Sequence, residues 1–272
     1  MRILLTNDDG IYARGIQALV NELGTLAEIF VVAPDRERSG TGHSITVFEP
    51  IKVKKTKLPG VKDGWTVGGT PVDCVKLALS KLVDGKVDLV VSGINHGPNL
   101  GTDVLYSGTV SAAVEGVIMG APAIAVSLDS HERDMDFSFA AGFTRKVVEV
   151  LKEQGINKDT VLNINIPAID PISIKGMRIT RLGVRNYGNL FEERQDPRGN
   201  TYFWLGGGVL EEPQEEDSDV KAVQDSYISI TPMHFDLTNY KMVEEYRQSF
   251  IKSFTEKHPN FLKYAGEIND FC

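Results

Sequence analysis

Cysteine and long hydrophobic runs are both scarce in this sequence. Cys74 and Cys272 are the only cysteines among 272 residues, which excludes a disulfide framework, and neither has the spacing of a metal ligand. No segment approaches the roughly 18 consecutive apolar residues of a membrane-spanning helix, and the first residues lack the pattern of a secretory signal. We therefore expect a cytoplasmic protein without a membrane partner.

Basic residues are also in the minority. Lysine and arginine together number 29 against 37 aspartates and glutamates, so the net charge is −8 at pH 7. Because non-specific binding to a nucleic-acid polymer needs a broad basic surface, no such partner is expected. An anionic ligand would have to be attracted by a local feature, such as a bound cation or an exposed helix N-terminus.

Two common nucleotide-binding fingerprints are missing as well. The segment Ser39-Gly40-Thr41-Gly42-His43-Ser44 begins like the dinucleotide motif GxGxxG, but Ile45 occupies the position of the last glycine. No GxxxxGK[ST] segment occurs, which argues against P-loop chemistry. His43 has no HxH or HExxH context, so a zinc site is not indicated either.

The first two-thirds of the chain alternates apolar runs with amphipathic patterns. The runs predict strands, and apolar residues at i, i+3, i+4 and i+7 predict helices between them. Continuous apolar strands separated by helices are typical of a three-layer, Rossmann-like α/β fold with a mostly parallel sheet. The predicted strands are 2–6, 29–33, 87–92, 122–128 and 161–166, and the helical stripes are 16–23, 75–82, 110–117 and 140–151.

After about residue 183 the alternation lapses, so we divide the chain into a domain 1–182 and a C-terminal part 183–272. The second part contains a predicted β-hairpin arm around Asp196-Pro197-Arg198-Gly199, an acidic loop LEEPQEEDSD that we expect to be solvated, a returning strand YISITP and a terminal helix from Tyr240 to Phe254. The arm's aromatic residues could bury in a subunit interface, which we favour, or stack on a base. They include Tyr187, Phe191, Tyr202 and Trp204.

The run Ile3-Leu4-Leu5 leads directly into Asn7-Asp8-Asp9-Gly10. Two adjacent carboxylates at the end of a buried strand repel each other and lose hydration. A plain turn would explain this motif, and so would a site for a hard cation, since carboxylate oxygens suit Mg²⁺ or Mn²⁺. The motif alone does not decide between them.

Two further polar loops follow predicted strands. One contains Ser39 and Gly40, and the other runs from Ser92 through Asn95 to Asn99 before a helix that opens at Ser107-Gly108-Thr109. Because parallel strands place their carboxyl ends at one edge of the sheet, these loops should meet the two aspartates. Free N–H groups at the helix start form an anion site, so a phosphate could bridge that helix and a cation. Hydrolysis of a phosphate ester is the reaction class that this arrangement favours.

With these residues in view, the sequence resembles the SurE family of metal-dependent nucleotidases. The resemblance implies that Asp8, Asp9, Ser39 and Asn95 hold one divalent ion per subunit, either Mg²⁺ or Mn²⁺. It also implies nucleoside 5′- or 3′-monophosphates as substrates, with short polyphosphate in some members, and dimers or tetramers built through the C-terminal region. The matching segments are TNDDG (6–10), AP-x4-SG-x3-SIT (33–46), GTPVDCVKLAL (69–79), VVSGINHGPNLGTDVLYSGTVSAAVEG (90–116), PAIAVS (122–127) and SITP (229–232).

The predicted site follows from both arguments. Asp8 and Asp9 are the candidate catalytic residues, either by accepting a proton from a water that attacks phosphorus or by one of them attacking phosphorus directly. A non-catalytic regulator that binds nucleotide through the same metal–phosphate geometry is the alternative function. The candidate phosphate or substrate contacts are Asn7, Gly40, Asn99, Ser107, Gly108 and Thr109.

Overall fold

The structure is a computed structural model that describes residues 1–132, 134–155, 157–188, 191–210 and 212–259. Its contacts divide the chain into two units, Met1–His234 and Phe235–Cys272. The strands of the first unit are β1 Arg2–Thr6, β2 Glu28–Pro34, β3 Val53–Thr56, β4 Asp63–Val67, β5 Leu89–His96, β6 Ala123–Asp129, β7 Val161–Pro167, β8 Met177–Ile179, β9 Phe191–Gln195, β10 Thr201–Leu205 and β11 Ile228–Met233. Its helices are α1 Arg14–Leu23, α2 Pro71–Leu77, α3 Gly108–Ile118, α4 Ser138–Gln154 and α5 Asp219–Gln224.

Nine strands form one sheet in the order β3-β4-β2-β1-β5-β6-β7-β11-β8. Neighbours from β4 to β7 run parallel, whereas β3 is antiparallel to β4 and β11 is antiparallel to β7. The predicted three-layer α/β fold with a mostly parallel sheet is therefore confirmed. All five apolar runs of the first two-thirds form strands, within a few residues of their predicted bounds.

Alternate residues of the central strands feed two separate core layers. Ile3 and Leu5 pack with α1 and α4 on one face, and Leu4 packs with α2 and α3 on the other. This alternation follows from the two-residue period of a strand, and it explains why central strands are apolar throughout. Cys74 is fully buried in the second layer, as its helical spacing predicts. Each large apolar side chain that these layers remove from water, such as Ile3, Leu4 or Leu5, stabilises the fold by roughly 1.5–3 kcal/mol.

Three strands were not predicted. β3 and β4 extend one edge of the sheet, and the short β8 closes the other. β3 reads Val53-Lys54-Lys55-Thr56 and is mostly exposed, so it has no buried face to impose an apolar period. Lysines on an edge strand discourage pairing with other chains, which accounts for their presence there.

The acidic loop LEEPQEEDSD was predicted to be solvated, and this was wrong for its last two residues, Ser218 and Asp219, which are buried. Glu211 of this loop lies outside the described residues. Asp219 opens α5 and is fully buried. Its carboxylate accepts N–H groups from Gly101, Gly183 and Val220, each at 2.8 Å. Burial nevertheless raises its pKa. A charge run in sequence does not reveal that one member turns inward to satisfy backbone donors from two other segments.

The hairpin arm is present as predicted. β9 and β10 pair antiparallel, and Asp196 closes the turn by accepting N–H groups from Arg198 and Asn200. The side chains of Phe203 and Trp204 are 58% and 59% exposed in the single chain. Burial of these rings in a subunit interface, and the division of roles between 1–182 and 183–272, stay predictions.

The second unit contains α6 Tyr240–Gln248 and α7 Phe250–Lys257. The sequence predicted one helix from Tyr240 to Phe254, but the chain breaks at Ser249, whose φ and ψ are −107° and −51°. The Ser249 hydroxyl donates to the carbonyl of Glu245, a local bond that competes with regular helix. Of all helices in the described ranges, none is long and apolar enough to span a bilayer.

Candidate metal and phosphate site

The segment after β1 forms a tight turn that Asn7 closes. The Asn7 amide donates to the carbonyl of Gly10 at 2.9 Å and accepts the Gly10 N–H at 3.1 Å. Gly10 has a φ of +99°, a conformation that other residues rarely adopt. Asn7 is fully buried, so the structure gives it a role in holding the turn, and its predicted contact with substrate stays a prediction.

Asp8 lies against the start of α3. Its Oδ1 accepts the Thr109 hydroxyl at 2.5 Å, and only 4% of the residue is exposed. A Cβ at Gly108 would lie 2.8 Å from the Asp8 Cβ and 2.9 Å from its Oδ2, so the close approach requires glycine. The positive end of the helix dipole favours the carboxylate. Burial still outweighs the hydrogen bonds, and the pKa of Asp8 is raised.

Asp9 is half-buried beside Asp8. Its Oδ2 accepts the backbone N–H of His96 at 3.3 Å, which ties the first turn to the end of β5. Burial, followed by the negative charge of Asp8, raises the pKa of Asp9 to about 7. Each carboxylate therefore makes ionisation of the other less favourable, and a nearby positive charge would relieve both.

Ser39 and Asn95 come from the other two predicted loops. The Arg38 N–H donates to the Asp8 carbonyl at 2.7 Å, which fixes the Ser39 loop to the first turn. Asn95 is the residue before His96, the last residue of β5, and its amide nitrogen donates to the carbonyl of Gly97 at 2.8 Å. This hydrogen bond fixes the orientation of the Asn95 amide, and its oxygen is available to another partner. The three loops thus meet at one edge of the sheet, as their positions after parallel strands predicted.

The donor set fits a hard divalent cation. It offers two carboxylates, one hydroxyl and one amide oxygen, which suit Mg²⁺ or Mn²⁺ rather than a softer metal. Across the described residues, no group of three or more His, Cys, Asp or Glu side chains could hold a metal ion. A cation here would consequently rely on Asp8 and Asp9 for charge and on neutral oxygens for its remaining ligands.

Ser107 caps α3 by accepting the Val110 N–H at 3.0 Å, as predicted for this residue. Gly108 and Thr109 are buried behind it, and the Thr109 hydroxyl is committed to Asp8. Gly40 lies in an exposed position with a φ of +71°. Contact of these residues with a phosphate stays a prediction.

Asn99 was predicted to contact the substrate, but its polar groups form hydrogen bonds within the protein. Its amide nitrogen donates to the Ser127 hydroxyl at 2.8 Å, and its backbone N–H donates to Asn165 Oδ1 at 2.7 Å. Its carbonyl accepts the amides of Asn163 and Asn165. This buried network fixes the loop between β5 and α3, so Asn99 supports the site from behind, and its contact with substrate stays a prediction.

Sequence reasoning missed a cluster around the buried Glu115 carboxylate that anchors the Ser39 loop. Glu115 is buried in α3, where its carboxylate lies 2.9 Å from His43 Nε2 and 2.8 Å from Lys76 Nζ. His43 belongs to the loop and Lys76 to α2, so the cluster joins three segments. The available signal was a single glutamate within the otherwise apolar and small-residue helix α3.

Replacing Gly108 with alanine tests the packing of α3 on Asp8. We expect Gly108→Ala to weaken Mn²⁺ binding at least tenfold, because the new Cβ must displace the carboxylate or the helix. Gly142→Ala in α4 is the matched control, since a Cβ there meets nothing within 4 Å. Calorimetric titration with Mn²⁺ measures both variants, and equal affinities for the two would contradict the proposed packing.

The raised pKa of Asp9 predicts a pH dependence. Its folded pKa of about 7 lies above its ordinary value of 3.8, so the metal-free fold holds a proton that the unfolded chain releases. This contribution to stability is present at low pH and declines as pH rises from about 4 to about 7. We expect Asp9→Asn to flatten that part of the denaturation profile, and Mn²⁺ affinity of the unmodified protein to rise up to about tenfold per pH unit below pH 7. An affinity independent of pH between 5.5 and 7 would contradict the assignment.

Comparison with known proteins gives the same family as the sequence motifs. The family described as Survival protein SurE matches residues 3–189. The chain is 78% identical over 270 residues to the 5′-nucleotidase SurE of Syntrophomonas wolfei subsp. wolfei, covering 99% of each chain. It is 53% identical over 246 residues to the 5′-nucleotidase SurE of Heliobacterium modesticaldum, covering 90% of each.

Among solved structures, the fold is similar to the crystal structure of the SurE protein from Aquifex aeolicus. The TM-score is 0.79 at 43% sequence identity, with 90% of this chain and 98% of that chain covered. The family match includes all three loops of the site, since they lie within residues 3–189. This chain belongs to the SurE family.

Proposed function

We propose that this protein is a divalent-metal-dependent 5′-nucleotidase that hydrolyses nucleoside monophosphates to nucleoside and phosphate. The observation that carries the proposal is the Asp8–Asp9 pair packed against the start of α3, with hydrogen bonds from the Arg38 N–H and the His96 N–H that join the Ser39 loop and the end of β5 to it. The names of the relatives from S. wolfei and H. modesticaldum support the same activity. The proposed substrates also include nucleoside 3′-monophosphates and short polyphosphate. The candidate contacts of the site would bind a phosphoryl group, and none of them is assigned to the recognition of a base.

The proposed metal is one Mg²⁺ or Mn²⁺ ion per subunit. Asp8, Asp9, Ser39 and Asn95 would hold it through oxygen atoms. When bound, such an ion polarises a phosphoryl oxygen and lowers the pKa of a coordinated water. Two carboxylates offset the double positive charge, so an anionic substrate is not repelled from the centre despite the net charge of −8.

The protein's own groups would orient the substrate. We place the phosphate near the N-terminus of α3, because the positive end of its helix dipole attracts an anion. One of the two aspartates would accept a proton from the attacking water. Hydrogen bonds from Thr109 to Asp8 and from His96 to Asp9 hold the two carboxylates in place.

The proposal includes a cytoplasmic homodimer or homotetramer formed through the C-terminal part. Phe203, Trp204 and Leu205 on the arm are exposed in the single chain, and a partner subunit would remove them from water. In the alternative, the aromatic rings of the arm, such as Trp204, stack on the base of the nucleotide.

Substitution of Asp9 tests the activity. We expect Asp9→Asn to lose at least 99% of the Mn²⁺-dependent phosphate release from AMP or GMP, because one charged ligand and a candidate proton acceptor are removed together. EDTA should abolish release by the unmodified protein. Circular dichroism controls for folding. Tight nucleotide binding by the unmodified protein with no phosphate release would favour the non-catalytic regulator instead.

The identity of the nucleophile has its own test. A single turnover in ¹⁸O-water should place one label in the released phosphate and none in the protein, because we expect water to attack phosphorus directly. Mass spectrometry of the peptide that contains Asp8 and Asp9 measures the label. An ¹⁸O atom in either carboxylate, or an aspartyl phosphate trapped by borohydride reduction during the turnover, would establish attack by aspartate and a phospho-enzyme intermediate. The trapping is needed because hydrolysis of that intermediate at phosphorus would also leave the label in phosphate.

A further inference from the structure

Ser39 differs from the other three candidate ligands in its surroundings. Asp8 is buried, Asp9 and Asn95 are half-buried, and Ser39 is exposed. Asp8 is held by Thr109, Asp9 by the His96 N–H and Asn95 by the Gly97 carbonyl. Other elements of the fold thus hold the two aspartates, and Asn95 is part of β5, whereas Ser39 lies in an exposed loop and takes its partner from that loop.

Glu37 is that partner. The Ser39 hydroxyl donates to Glu37 Oε1 at 2.8 Å, a normal length for a hydrogen bond to a carboxylate. Between the two residues, the Arg38 N–H is bonded to the Asp8 carbonyl at 2.7 Å. The backbone of this short segment is therefore anchored on the aspartate pair, and Glu37 and Ser39 flank the anchor.

The chemistry of a hydroxyl ligand explains why this contact matters. A serine oxygen carries one proton and two lone pairs, and it can bind a cation only through a lone pair. The proton must then point away from the ion and toward an acceptor. A carboxylate acceptor fixes that orientation and makes the oxygen a better donor of electron density, as second-shell groups do at other metal sites.

We propose that Glu37 is a positioning residue that orients the Ser39 hydroxyl toward the divalent cation. The inference rests on the proposed metal site and adds a residue that the family resemblance does not assign. Glu37 acts through Ser39 rather than by contact with the ion. In the alternative explanation, the negative charge of Glu37 attracts the cation directly and Ser39 has no part in its effect. The two explanations predict different results when Glu37 and Ser39 are both substituted.

The test is calorimetric titration of the full-length protein with Mn²⁺ in the absence of nucleotide. We expect Glu37→Ala to raise the Kd about tenfold, within the range that second-shell substitutions cause. Ser39→Ala should raise it at least as much, and Glu37→Ala should add nothing in the Ser39→Ala background. Glu37→Gln, which retains an acceptor oxygen without the charge, should stay within about threefold of the unmodified protein.

Glu49→Ala is the matched control, since Glu49 is an exposed carboxylate in the same connection between β2 and β3. An unchanged Kd for Glu37→Ala, or effects of Glu37→Ala and Ser39→Ala that multiply, would overturn the proposal. So would an equal effect of Glu37→Ala and Glu37→Gln with none of Glu49→Ala, because the charge of Glu37 near Asp8 and Asp9 would then be responsible rather than its role as an acceptor. Asp9→Asn separates a failure of the Glu37 proposal from a failure of the proposed metal site. If Asp9→Asn abolishes Mn²⁺ binding while Glu37→Ala has no effect, only the role of Glu37 is wrong. If neither substitution changes Mn²⁺ binding, the proposed metal site is wrong as well.

Discussion

The architecture of the site depends on one unfavourable interaction, the repulsion between Asp8 and Asp9 at the end of β1. Burial raises the pKa of both carboxylates, and the negative charge of Asp8 raises the pKa of Asp9 further. The described residues around them supply hydrogen-bond donors, the Thr109 hydroxyl and the His96 N–H, but no lysine or arginine in an ion pair with either aspartate. A folded protein keeps such a pair only where the surrounding structure enforces it, which is a common property of functional sites.

The parallel sheet supplies that enforcement. β1, β2 and β5 are neighbours, so the loops after them leave the same edge, and backbone contacts join them before any side chain is considered. α1 approaches β5 so closely that a Cβ on Gly15 would lie 2.0 Å from the Ile94 carbonyl oxygen. The Glu115 cluster and the buried asparagines around Asn99 then fix the loops from behind. The geometry of the two aspartates is consequently set by the core of the fold rather than by flexible surface groups.

Much of this arrangement could be predicted from the sequence, and the limits have physical causes. Strands buried on both faces, such as 2–6 and 87–92, are apolar throughout, and so the sheet and the meeting of three loops followed from the pattern. Edge strand β3 could not be predicted, because an exposed strand has no buried face and so no apolar period. The burial of Asp219 could not be predicted either, because its hydrogen bonds are to residues distant in sequence. The roles of Asn7, Asn99 and Glu37 needed coordinates, because a polar residue near a site looks the same in sequence whether it contacts the ligand or supports a residue that does.

The central claim is that Asp8, Asp9, Ser39 and Asn95 form one divalent-cation site. Anomalous diffraction from a crystal soaked in Mn²⁺ tests it most directly, because the ion is located without reference to activity. The account predicts one strong peak per subunit at coordination distance, about 2.0–2.4 Å, from oxygen atoms of all four residues. A peak bound elsewhere, or full occupancy at this edge of the sheet without Asp8 and Asp9 as ligands, would contradict it.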